Sequence, residues 1–178
     1  RPYFEETSVE KRRDAGDEIW VYNMFASLEK PAQAHRAWLW QATHYNASGA
    51  QLWEIAWYRQ IDPWEDITPK PHPVGRDGKR LYHYDAGDAI LIYPDPKGSA
   101  PPLSSLRFKL IQKGIDDIEY IAMLRRALEK KGKSPAEIRS FLCTFTAVVV
   151  KDIGKFNLNP AAMEKARDAV AREIERLR

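Results

Sequence analysis

Glu18-Ile-Trp-Val-Tyr-Asn-Met-Phe25, followed by a helical run that opens at Pro31, is the stretch on which the fold turns. Its β-branched and aromatic residues suit a pleated surface, with Ile19 and Val21 on one side and Trp20, Tyr22 and Met24 on the other. Proline is tolerated at a first helical position, and Ala34, Trp38, Ala42 and Tyr45 then recur on one helical face. Asn46-Ala-Ser-Gly49 offers a left-handed stop. A second strand is expected over Gly49–Trp57. A third is expected over Asp88–Tyr93, whose nearly unbroken apolar run suits a parallel strand covered on both faces. Strand, helix and strand in alternation predict an α/β fold built from βα units.

Between the second and third strands, residues 58–87 hold Pro63, Pro69, Pro71 and Pro73 with Gly75 and Gly78, and show neither a strand nor a helix period. Loops of that length inside a compact domain are commonly functional. From Ser104 onward the pattern is helical. Phe108, Ile111, Ile115, Ile118 and Ala122 form one stripe, Gly132 ends it, and Gly114 marks a place for a kink. Ser134-Pro-Ala-Glu137 is a capping box that opens a helix with Ile138, Phe141, Leu142, Phe145 and Val149 on one face. A last helix starts at Asn159-Pro160 and carries Met163, Ala166, Val170, Ile174 and Leu177. The expected organisation is therefore βα units with the long loop over residues 1–133, and helices packed on them over residues 134–178.

Composition removes several function classes. The chain has 178 residues, 44% of them hydrophobic, enough for a core of its own. A net charge of +3 spread along the sequence gives no footprint of a nucleic-acid binder. Cys143 is the single cysteine, which excludes an internal disulfide and any CxxC pair. The longest apolar run, Phe141 to Val150, is too short to span a bilayer. The four histidines, His35, His44, His72 and His83, have no metal-ligand spacing, and GxSxG, Walker and GxGxxG motifs are all missing. Neither a metal nor a cofactor is called for. The sequence starts at Arg1 without an initiator methionine, so a segment of a longer product is expected.

The chemistry-bearing residues gather early. All six tryptophans, Trp20, Trp38, Trp40, Trp53, Trp57 and Trp64, fall between residues 20 and 64, and Tyr22, Tyr45 and Tyr58 join them. Trp20, Trp38, Trp40 and Trp53 are the ones most readily absorbed by a core, whereas Trp57 and Trp64 lie beside or within the long loop. In a βα fold, ligand groups collect where strands end and loops begin, which brings Tyr22, Trp57 and Tyr93 toward one rim. Indole faces match the C–H faces of pyranose rings, so a sugar is the ligand class these residues suit. Glu54, Asp62, Glu65, Asp66 and Asp85 are the acidic candidates. Glu54, between Trp53 and Ile55, is the catalytic candidate: enclosed by apolar neighbours it would hold a proton near neutral pH, as a glycosidic acid must, and otherwise it would pair outward with a helix residue.

Read in order, Trp20-Val-Tyr22, Arg36 and Trp40 on the helix, Gly49 with Leu52-Trp53, Asp62-Pro-Trp64, Gly87-Asp-Ala-Ile-Leu-Ile-Tyr-Pro94, Pro102-Leu-Ser-Ser-Leu-Arg107 and Gly114-Ile-Asp-Asp-Ile-Glu-Tyr120 resemble the C-terminal half of the glycoside hydrolase family 123-like group. The Asn159-Pro160 helix with Arg167 and Ile174 fits as well. The resemblance implies the C-terminal portion of a (β/α)8 TIM-type barrel, about three βα units, followed by a helical tail. It implies bacterial, secreted or periplasmic proteins that act on amino-sugar glycans. Characterised members are retaining β-N-acetylgalactosaminidases that use the substrate's own acetamido group as nucleophile, assisted by an adjacent Asp-Glu pair on an earlier strand. Asp17-Glu18 has the same letters but precedes its strand, on the structural side of a barrel, and does not take that role. The partners implied are a glycan substrate and the upstream remainder of the barrel. By the same resemblance Trp20, Tyr22, Trp53 and the Asp62-Pro-Trp64 loop line or support the sugar-facing side and Tyr93 closes it, with Trp57 added as a substrate-binding candidate from its place beside the long loop, while Arg107 and Asp117 make a structural ion pair or capping contacts. Glu54 stands where a small residue is expected. A non-catalytic glycan-binding or scaffold module, or a simple helical interaction domain, are the other readings.

Overall fold

In a computed structural model, which describes residues 5–23, 27–58, 62–65, 70–71 and 83–178, Trp20–Asn23 forms β1 and Gly49–Leu52 forms β2. The two pair in parallel, Trp20 opposite Gly49 and Tyr22 opposite Gln51. Parallel neighbours need a crossover, and the helix α2, Ala34–His44, supplies it. Residues 31–33 form a turn with three-residue hydrogen bonds, Ala34 N to the Pro31 carbonyl and His35 N to that of Ala32, so α2 begins after Pro31 rather than at it. It ends at Asn46, whose φ of 51° is the left-handed stop read from the sequence. Of the strand expected over residues 18–25, Met24 and Phe25 lie outside the described residues.

Beyond β2 the fold departs from three successive parallel strands. Residues 53–58 are irregular, with Ala56 bridging Ile90 in antiparallel sense. The apolar run at 88–93 does bury Ala89, Ile90 and Leu91, but a turn at residues 86–89 breaks it, with Ala89 at φ 60°. Its end, β5 (Ile92–Tyr93), pairs antiparallel with β6 (Leu103–Ser104). Burial was legible in those apolar residues; strand direction was not, because a partner ten residues downstream sets it. Within the long loop, β3 (Lys70–Pro71) and β4 (His83–Tyr84) form an antiparallel pair. The sheets are all two-stranded among the described residues, and no closed barrel forms. The architecture is mixed α/β with five helices.

Helices supply most of the core. Leu106–Lys130 is α3, capped by the Ser105 hydroxyl accepting from Phe108 N; Pro135–Val149 is α4, opened by the full Ser134/Glu137 capping box; Pro160–Leu177 is α5, with the Asn159 side chain accepting from Ala161 N. Ala37 and Trp40 of α2, Ile121, Leu124 and Leu128 of α3, Ile138, Leu142 and Val149 of α4, and Met163, Val170 and Ile174 of α5 form one cluster. Each fully buried large apolar side chain there contributes about 1.5–3 kcal/mol by transfer from water. A second cluster joins Val21 of β1 to Trp38 and Leu39 of α2, Leu91, and Ile111 of α3. α3 runs through Gly114 without interruption. The missing side chain of Gly114 lets α2 approach, since a Cβ would lie 2.6 Å from Leu39 Cδ1 and 2.9 Å from the Arg36 carbonyl oxygen. The buried stripe of α3 runs through Leu110, Gly114, Asp117, Ile121 and Leu124, leaving Ile115 half exposed. Two further elements were not anticipated: α1 (Glu6–Asp14), and the hairpin of β7 (Val150–Asp152) and β8 (Lys155–Phe156) after α4.

Where the helices meet, the polar residues pair. Asp117, fully buried on α3, accepts from Arg36 Nε at 2.6 Å, Arg36 Nη2 at 2.8 Å and Trp40 Nε1 at 2.9 Å. Arg36 Nη1 also reaches Glu164 of α5 at 2.5 Å, and Lys113 Nζ joins at 2.8 Å. This assigns Asp117 to Arg36, not to Arg107. Burial alone would lower the Arg36 pKa, but Asp117 and then Glu164 hold it above its ordinary value. Burial likewise opposes ionisation of Glu164, yet Lys113 and Arg36 outweigh it and hold that carboxyl at about 2.

Candidate functional site

The residues proposed for ligand contact fall on two surfaces. On β1, Val21 turns inward, so Trp20 and Tyr22 face the other way by the two-residue period of a strand. They are 58% and 51% exposed, which removes Trp20 from the core. The Trp20 indole lies over Gly49, where a Cβ would come within 2.6 Å of the ring, so glycine is required opposite it. Parallel sheets are normally covered on both faces, and this one has an open aromatic face. Trp20 begins β1 and therefore sits at its amino end, away from the carboxyl ends where ligand sites gather.

The second surface is a rim made from residues 53–58, 62–65 and 89–94. Its backbone is stitched together: Leu91 N donates to the Ile55 carbonyl at 2.8 Å, Trp57 N to that of Ala89 at 2.9 Å, and Tyr58 Oη to that of Ile92 at 2.9 Å. Trp53, half exposed and so also outside the core, meets Trp57 edge to face with ring centroids 5.8 Å apart. Asp62 Oδ1 accepts from Trp64 N at 2.8 Å, which makes Asp62 a turn-former beneath the tryptophan. The Trp64 indole N–H is fixed on the Pro94 carbonyl at 2.8 Å, the residue is 47% exposed, and its ring stands 5.0 Å from the Tyr93 ring at a tilt of 49°. A ring held by its own N–H with a face in water is a ready-made stacking platform. By contrast Trp38 and Trp40 are buried on α2.

Glu54 is not enclosed by apolar neighbours. It is exposed, and its Oε1 accepts from Ile55 N at 2.9 Å and Ala56 N at 3.4 Å, so it caps its own turn. Arg107, missed as a rim residue, is buried and ties the rim to α3, donating to the Gly87 carbonyl at 2.9 Å and the Ile90 carbonyl at 2.5 Å, with Tyr93 Oη 3.4 Å away. An arginine in the first turn of a long helix, followed by apolar positions, was the available signal. Asp66 lies outside the described residues; Glu65 follows Trp64 on the exposed turn, and Asp85 accepts from the Ser27 hydroxyl at 3.2 Å. Among the described residues no three His, Cys, Asp or Glu side chains converge as a metal site, and no helix is long and apolar enough to cross a membrane.

With that geometry in view, the family comparison is decisive: the glycoside hydrolase 123 catalytic-domain model matches residues 2–124. The chain belongs to this family. No protein with a curated description matches it. The glycoside hydrolase match covers α1, both parallel strands, the whole rim and most of α3, while α4 and α5 lie beyond it. The rim is thus part of a glycoside hydrolase catalytic domain, and the resemblance carried by the ordered motifs from Trp20 to Tyr120 is established.

Proposed function

We propose that this chain is the C-terminal segment of a glycoside hydrolase acting on amino-sugar glycans with retention, the substrate's acetamido group serving as nucleophile. In this reading residues 1–133 are the last βα units of a TIM-type barrel and residues 134–178 buttress them. The upstream remainder of the barrel covers the open face of Trp20 and Tyr22 and brings the acid pair. Two carboxyl groups must flank a scissile bond in ordinary glycosidases, and the substrate-assisted class replaces one with the substrate itself. Trp57, Trp64 and Tyr93 wall the sugar, Trp53 supports Trp57, and Asp62 sets the angle of Trp64. The observation that carries this reading is the Trp64–Tyr93 pair, locked by Pro94 and open to solvent within the matched family domain. The test is hydrolysis of a chromogenic β-N-acetylgalactosaminide by the full-length protein. Trp64→Ala and Trp57→Ala are expected to lower kcat/KM at least tenfold; unchanged rates in both contradict the walls.

A second reading, a glycan-binding module without turnover, is favoured by one observation. The Glu54 carboxylate is committed to the amides of its own turn rather than turned toward a ligand. Retention of labelled glycan by full-length protein that releases no sugar selects this reading.

A further inference from the structure

We propose that His35 makes the aromatic rim acid-sensitive: the rim keeps its shape while this imidazole is neutral and loosens when Nε2 takes a proton. This rests on the glycan reading of the rim and adds its regulation. His35 is fully buried in the first turn of α2. Its Nδ1 lies 3.1 Å from the Ala32 carbonyl, which can only accept, so Nδ1 carries the hydrogen. Nε2 is then a bare lone pair, and among the described residues it has no hydrogen-bond partner. A proton arriving there creates a buried, charged donor with nothing to receive it, which is costly.

The surroundings oppose that proton. Burial above all, with the Arg107 guanidinium of α3 adding to it, holds the imidazole below its ordinary 6.5 against the pull of the Ala32 and Pro31 carbonyls. The carboxylates on the neighbouring elements are engaged elsewhere. Glu29 Oε1 accepts from Ala86 N, Asp85 accepts from the Ser27 hydroxyl, and Glu29 and Asp88 act on Arg107. Lys30 is a further cation on the loop before α2, and Arg36, next on the helix, is given to Asp117 and Glu164.

Two ties carry the state of His35 to the rim. The turn at 31–33 that holds Nδ1 continues back into Leu28 and Glu29, where Leu28 N donates to the Ala86 carbonyl at 2.8 Å and Ala86 N to Glu29 Oε1 at 2.9 Å. From the other side Arg107 donates to the carbonyls of Gly87 and Ile90. The rim hangs on the residues that follow, through Trp57 N on the Ala89 carbonyl and Leu91 N on that of Ile55. A second buried cation near Arg107 therefore works against the fork that fixes this turn. The closed rim excludes the proton and a loosened one admits it, so closure is complete above pH 6.5 and is lost as the pH falls from there through the lowered pKa.

The experiment titrates the full chain with a neutral N-acetylhexosamine oligosaccharide, which has no titratable group of its own, at about pH 7.5 and about pH 5. Affinity is expected to fall about tenfold over that range. His35→Asn keeps a donor for Ala32 and takes no proton, so its affinity should match that of the unsubstituted chain at the higher pH and stay level on acidification. A pH-independent affinity in the unsubstituted chain, or a fall that His35→Asn retains, overturns the switch and leaves the glycan reading standing. A second measurement needs neither variant nor ligand: the ¹⁵N-labelled indole signals of Trp57 and Trp64 should shift with the midpoint of the His35 ring's own titration. Indole signals that stay still through it, or a His35 midpoint at or above 6.5, overturn the proposal. Indoles that follow His35 in a chain that binds no glycan at either pH overturn the glycan reading alone.

Discussion

The helical side of the molecule and its rim use the same residue types to opposite ends. Around Asp117, polar groups are sealed and paired: a guanidinium, an indole N–H and a carboxylate meet with no water between them, while Trp40 is buried completely. Around Tyr93, polar groups tie down backbone and the aromatic rings are left outside, so that Trp64 spends its N–H on Pro94 and keeps a bare face. An indole that closes a core and an indole that offers a surface are distinguished by what surrounds the ring, not by the ring. The first arrangement contributes stability; the second contributes a shaped surface whose apolar area is unspent.

The sharpest way to break this contrast is Asp117→Ala. It leaves Arg36 with Glu164 alone and takes the acceptor from Trp40 Nε1, and removal of one partner from a buried pair costs about 3–5 kcal/mol. Chemical denaturation should show that loss, with any protein that stays folded keeping its rim. A loss below about 1 kcal/mol would mean that the helical side does not depend on the pair. Gly114→Ala comes next. The helix gains about 1 kcal/mol of propensity, but the new methyl meets the Arg36 carbonyl oxygen at 2.9 Å. Overpacking of about 1–3 kcal/mol therefore leaves a net destabilisation, read as a lower Tm.

The rim should respond the other way round. Trp64→Ala is expected to change folding stability by less than about 0.5 kcal/mol, the range of surface substitutions, while weakening glycan binding about tenfold, or ~1.4 kcal/mol. Parallel thermal melts and titrations check both halves of that statement. The smallest effect concerns acid. The Glu164 carboxyl falls from 4.5 to about 2 on folding, so its contribution is complete above pH 4.5 and disappears as the pH drops toward 2. Glu164→Gln should flatten the loss of stability across that window. An unchanged acid limb would show that Lys113 and Arg36 do not hold the carboxylate.

Much of the helical side was legible because its signals are local. Ser134 with Glu137, Asn159 before Pro160, and the apolar period of α5 each act within a few residues. The Arg36–Asp117 pair spans 81 positions and was not resolved, although Asp117 occupies a place in the stripe from Leu110 to Leu124 that only a paired carboxylate tolerates. The polar helix α1 has no apolar stripe to announce it, and the valines at 148–150 read as more helix because nothing nearby marks the turn into β7. On the rim, the residue types and their order pointed to the family. Their roles did not follow from order alone: Glu54 became a turn cap, and Trp20 an exposed ring over a glycine.

The central claim, that the open indoles of the rim are a glycan-binding surface distinct from the buried ones, has a direct test. Chain labelled with ¹⁵N at the tryptophan indoles should be titrated with an N-acetylhexosamine oligosaccharide while the six Nε1–H resonances are followed. The account predicts concerted shifts for Trp64 and Trp57, with Trp38 and Trp40 unmoved. Shifts confined to the buried pair, or none at saturating glycan, would contradict it.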